Sequence, residues 1–145
     1  MIRGYLDTSA VLKLYMNEFN SAQVKQVIAT LDQLIISRLT QIEVGTAIYG
    51  LVRRKRITYS HATKMISAFE ADQFKYQNII VSDECFVEAK RLVATFGISQ
   101  GLRTADALQL ASAIVEHKIT PIDFFLTTDQ VLAEVATLEG FDVKP

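Results

Sequence analysis

Residues 1–9 read MIRGYLDTS, and the other elements are arranged around this stretch. A short apolar, β-prone run (Ile2, Tyr5, Leu6) ends in Asp7. Two small hydroxyl residues, Thr8 and Ser9, follow, and Val11, Leu12, Leu14 and Tyr15 then recur at three- and four-residue spacing. That order predicts a strand feeding a helix, with Asp7 at the carboxyl end of the strand. In an open parallel sheet, ligands gather outside the carboxyl ends of the strands, where strand order reverses. If this strand is central, Asp7 stands at that point.

The rest of the chain supplies such a sheet. Leu34, Ile35, Ile36 and Ser37 form a continuous apolar run ending in a hydroxyl, as expected of a strand buried on both faces. Strands are also expected at about residues 76–81 (around Ile79, Ile80, Val81), 124–127 (Phe124, Phe125, Leu126, Thr127) and 141–143. Helices are expected between them: about 21–31 with Ser21 as its cap, 40–55, 60–74, a segment opened by Ser82 and stopped at Gly97, one opened by Thr104, and 130–138 stopped at Gly140. Strand and helix alternate, which predicts one domain over residues 1–145: a three-layer α/β/α sandwich around a parallel sheet. The two helices within about 40–74 are expected to form a hairpin projecting from the sheet, a surface for another chain.

Composition narrows the class. At 145 residues, 50% hydrophobic and 21% charged, the chain can bury a core without disulfides. Its single cysteine, Cys85, is read as a small core residue, and no Cys/His cluster suggests zinc. No apolar run is long enough to span a bilayer and no leader pattern opens the chain, so a cytoplasmic protein is expected. The net charge of −1 argues against bulk electrostatic capture of nucleic acid. A nucleic-acid role then needs a local basic patch, a bound cation, or both. Arg53, Arg54, Lys55 and Arg56 offer one such patch, although cations at a helix C-terminus also serve the macrodipole. Arg103 offers another candidate contact.

Four carboxylates stand out by position. Asp7 and Asp129 follow apolar strands, Glu43 rides the start of the helix leaving the second strand, and Asp106 opens an Ala/Leu-rich helix that is apolar nearly all round. Each has an ordinary explanation: a helix cap for Asp129, a first-turn acid for Asp106, a solvated flank for Glu43. With strand order 3-2-1-4-5, however, all four converge at one sheet edge. Such a cluster needs a counter-charge. With no histidine or cysteine beside them, the ligands are hard oxygens, suited to Mg²⁺ or Mn²⁺. That ion would neutralise a scissile phosphate and lower the pKa of an attacking water.

YLDTSAVLKLY, SRLTQIEVGTAIYG, RTADALQLASA and FFLTTDQVL, in this order, resemble the four acidic motifs of the PIN-domain family, especially its VapC-type toxin ribonucleases. The resemblance implies an Mg²⁺- or Mn²⁺-dependent endoribonuclease with Asp7, Glu43, Asp106 and Asp129 as its acidic, metal-holding and catalytic set. It implies that Thr8, Ser9 and Thr127 orient the acids or a coordinated water. It also implies an antitoxin protein as partner and a homodimer. Two other readings stand beside it. A phosphatase with an aspartyl nucleophile would want a second aspartate where Ser9 stands, and a dedicated lysine. A catalytically silent Mg²⁺-binding or protein-interaction domain of the same fold would keep the acids without cutting.

Overall fold

The strand expected at the N-terminus is the middle of the sheet. A computed structural model describes residues 1–145. It places β1 (Arg3–Leu6), β2 (Gln33–Ser37), β3 (Tyr76–Ile79), β4 (Phe124–Leu126) and β5 (Val143–Lys144) in one sheet of order β3-β2-β1-β4-β5. Every pairing is parallel. All four residues of β1 are buried.

Alternate side chains of the inner strands feed two separate cores, which is why these strands read as unbroken apolar runs rather than alternating ones. Tyr5, Ile35 and Phe125 face one layer, formed by α5 (Asp83–Phe96), α6 (Thr104–Ile119) and α7 (Gln130–Leu138). Leu6, Ile36 and Leu126 face the other, formed by α1 (Thr8–Leu12), α2 (Ser21–Ile28), α3 (Leu39–Arg53) and α4 (Tyr59–Ala71). Tyr5 and Phe125 stack across the β1–β4 pair with ring centroids 5.3 Å apart. At Gly4 a Cβ would fall 2.4 Å from Leu31 Cδ1, so glycine leaves room for the Leu31 side chain to pack onto the central strand. Cys85 is fully buried in the α5 layer.

Element boundaries differ locally from the sequence reading. Ser21 is the first residue of α2 rather than its cap. Asn20 takes the cap position at φ 69°, while the Ser21 hydroxyl donates to the Met16 carbonyl and accepts from the Glu18 amide. Thr104 likewise begins α6, with Arg103 at the cap position and no side-chain capping bond. The cap of α4 is Thr58, whose hydroxyl accepts from the His61 amide, and α4 ends at Ala71 before a single 3-10 turn. α1 stops at Leu12, and Leu14 and Tyr15 continue in turns. No helix is long and apolar enough to cross a membrane.

At the amino edge of the sheet, Arg3 is buried in a closed polar network. Its guanidinium donates to Glu116 (2.5 Å), Gln33 (2.6 Å) and the Thr120 carbonyl (2.6 Å), tying β1 to the end of α6. His117 accepts from the Ile122 amide at that same edge, a structural role, and His61 is exposed.

Candidate active site

β1 ends at Leu6; the Asp7 amide still donates to the Leu126 carbonyl of β4 (3.1 Å), and from Asp7 the chain turns into α1. Its Oδ1 accepts from the Ala10 amide (2.9 Å), capping that helix. The Ser9 hydroxyl donates to the same oxygen (2.7 Å) and Thr127 donates to Oδ2 (2.7 Å). Asp7 is only 4% exposed. Burial pushes its carboxyl up to about 6, against the pull of these three hydrogen bonds, and the charge of Asp129 pushes the same way as burial. The hydroxyls that hold Asp7 also hold the loop after β4. Thr127 Oγ1 accepts from the Asp129 amide (3.0 Å), and Ser9 Oγ accepts from the Thr128 amide (2.9 Å).

Asp129 caps α7 through Oδ1, which accepts from the Leu132 amide at 2.9 Å. The cap occupies one oxygen, and the same carboxylate still acts electrostatically on both Asp7 and Asp106. Asp106 lies in the first turn of α6, half-buried. Burial raises its carboxyl most, Asp129 and Glu43 raise it further, and the amide and charge of Arg103 oppose them.

Glu43 stands one turn into α3. Its Oε1 accepts from the Thr8 hydroxyl (2.8 Å) and from Gln109 Nε2 (2.7 Å). Gln109 is a buried amide on α6, and its own Oε1 accepts from the Tyr5 hydroxyl at 2.7 Å. Nε2 also lies 3.0 Å from Thr40 Oγ1 and 3.1 Å from Thr8 Oγ1. Tyr5, Thr40 and Gln109 were not legible as site residues. The one available signal is an amide inside the Ala/Leu-rich ALQLASA run, a position where an unpaired polar group would be costly.

The fold therefore brings Asp7, Glu43, Asp106 and Asp129 to one end of the sheet, within reach of one another's charge. Thr8, Ser9 and Thr127 stand among them, each bonded to an acid. No three of the acids close on a common point as a finished metal-ligand group. The donors present are carboxylate oxygens with uncompensated negative charge, a set whose chemistry fits a hard divalent cation. Arg103 is exposed beside Asp106. Arg53 and Arg54 are exposed at the far end of α3, about 15 Å along the helix axis from Glu43, and do not join the acids.

Residues 4–138 match the family model of the PIN domain. No curated protein matches the chain. Among solved structures, the chain is similar to VapC20 of Mycobacterium tuberculosis, a toxin that cleaves the sarcin-ricin loop. Those two share 16% identity and a TM-score of 0.68, over 98% of this chain and 99% of that one. It is similar also to VapBC-1 from nontypeable Haemophilus influenzae (16% identity, TM-score 0.67, 99% and 97% covered). A third similar structure is VapBC2 from Rickettsia felis bound to a promoter DNA fragment (16% identity, TM-score 0.65, 99% and 98% covered). At these identities the likeness concerns the fold.

Proposed function

The chain belongs to the PIN-domain family, and from that premise we propose that it is an Mg²⁺- or Mn²⁺-dependent endoribonuclease, the toxin of a type II toxin–antitoxin pair. The observation that carries this reading is the meeting of four carboxylates, drawn from opposite ends of the chain, at the carboxyl end of the central strand. Asp7, Asp106, Asp129 and Glu43 would hold the ion. When bound, that ion supplies charge neutralisation at the scissile phosphate and a more acidic attacking water.

The chain's own groups do the positioning. Asp7 has both hydrogen bonds to Oδ1 from its own turn and one to Oδ2 from Thr127, so Oδ2 is its less occupied oxygen. Ser9 and Thr127 fix that carboxylate between β1 and β4, and Thr8 fixes Glu43. Arg103, beside Asp106, is the cation best placed to meet an RNA phosphate, which suits a protein whose net charge is −1. Arg53 and Arg54 would serve only a longer RNA or a partner chain.

Partner surfaces are proposed on two faces. The α3–α4 hairpin exposes Tyr49 and Tyr59, which stack on each other, and suits an antitoxin segment. Helix α5 exposes Phe86 and Val93 on one face, which suits a second copy of the chain. The alternative is a silent cation-binding or protein-interaction domain of the same fold, which would keep the acids without cutting.

Incubation with structured RNA in Mg²⁺ or Mn²⁺ separates the two. The nuclease reading predicts discrete cleavage that is lost with chelator and reduced at least a hundredfold in Asp7→Asn. Intact RNA under all these conditions, with the metal bound, leaves the silent domain.

A further inference from the structure

We propose that Gln109 is a positioning residue for Glu43, set in turn by Tyr5. The inference rests on the metal-site reading of Glu43 and adds to it a buried relay that runs from the core of the sheet to the acid. A carboxylate on an α3 flank has free rotamers, and ordering it costs side-chain entropy at the moment a cation binds. Here one oxygen is ordered in advance. Oε1 of Glu43 takes two hydrogen bonds, from Gln109 and from Thr8, and Oε2 takes none from the protein. The carboxylate is thereby fixed at one oxygen and open at the other.

Gln109 can do this only in one of its two amide orientations. With Nε2 toward Glu43 the contact is a charge-assisted bond of 2.7 Å; the flipped amide would set its carbonyl oxygen against the carboxylate. Tyr5 matches the productive orientation by donating its hydroxyl to Gln109 Oε1 at 2.7 Å. Tyr5 is fully buried and stacked on Phe125, so its hydroxyl has little freedom to adjust. The relay joins β1, α6 and α3, three elements that each carry or adjoin one of the acids: Asp7 after β1, Asp106 on α6, Glu43 on α3. Partners of this kind orient metal ligands, and losing one typically costs about tenfold or more in metal affinity.

A double-mutant cycle on Mn²⁺ affinity, measured by calorimetry on the purified full chain, tests it, with thermal melting as the control for fold. Gln109→Met keeps the side chain's length and removes its hydrogen bonds. It is expected to weaken Mn²⁺ about tenfold in the wild-type background and not at all in Glu43→Gln, where there is no charged ligand left to position. Tyr5→Phe, a milder change that keeps the ring, is expected to weaken Mn²⁺ in the same direction by a smaller factor. Equal losses from Gln109→Met in both backgrounds, or none in either, overturn the relay while leaving Glu43's own role standing. Glu43→Gln binding Mn²⁺ as tightly as wild type overturns that role, and the relay with it. A wild type that binds no Mn²⁺ overturns the metal-site reading from which the relay starts.

Discussion

Burial sets the Asp7 carboxylate under electrostatic tension, and the sign of that tension can be read in stability. Its folded pKa, about 6, lies above the ordinary value of 3.8. In protein stripped of divalent ions, the native state therefore holds this proton more tightly than the unfolded chain. Stability from this group is greatest below about pH 4 and declines as pH rises toward 6, by about 3 kcal/mol in all. Asp7→Asn keeps an acceptor for Ala10 and Ser9 while removing the buried charge. The expected result is a metal-free variant with a higher melting temperature than wild type at pH 7 and a smaller difference at pH 4, measured by thermal melts in chelator. Equal melting at both pH values would show that Asp7 is not destabilised by its burial. Position made Asp7 legible, because it follows the apolar run that reads as the central strand, although the same carboxylate also caps α1. Gln109 was not legible as a site residue: its partners Tyr5 and Thr8 lie 104 and 101 residues away, and its Ala/Leu-rich surroundings signal burial without naming those partners.

Helix ends show a contrast at the scale of elements. α3 and α7 close in the same way. After α7, the Phe141 amide donates to the Ala136 carbonyl and the Gly140 amide to Thr137, with Gly140 at φ 95°. After α3, the Arg56 amide donates to Leu51 and the Lys55 amide to Val52, with Lys55 at φ 60°. Both are Schellman closures, but only one uses the residue that tolerates the left-handed region without a Cβ penalty. Lys55→Gly is expected to stabilise the protein by about 0.5–1 kcal/mol, read as a rise in the denaturant midpoint at unchanged slope. A fall in the midpoint would mean that the lysine side chain contributes contacts that outweigh the backbone strain. The sequence reading placed the stops at Gly97 and Gly140 but misassigned the caps at Ser21 and Thr104. In both cases a hydroxyl residue sits one position inside the helix, and the residue before it, Asn20 or Arg103, occupies the cap. A local pattern cannot separate these two registers, because a capping hydroxyl and a first-turn hydroxyl differ only in backbone dihedral.

Across the whole molecule, the parallel sheet was legible because paired residues such as Ile35 and Ile36 feed opposite cores, and only a doubly covered sheet accepts both. The strand order, taken as 3-2-1-4-5, is the one the sheet has. The convergence of the acids followed from that order. Their final spacing did not, since it is set by Ser9, Thr8 and Thr127 bridging elements from both halves of the chain. The proposed function requires that this end of the sheet, rather than another acidic surface, receive a divalent cation. Titrating Mn²⁺ into isotopically labelled protein and following paramagnetic broadening of backbone amides tests this directly. The expected result is early loss of the Asp7, Thr8, Asp106 and Asp129 signals at substoichiometric ion, while Arg3 and Thr120 at the opposite edge stay sharp. Broadening that begins at exposed acids such as Glu18 or Asp32, with Asp7 and Asp106 unaffected, would contradict it.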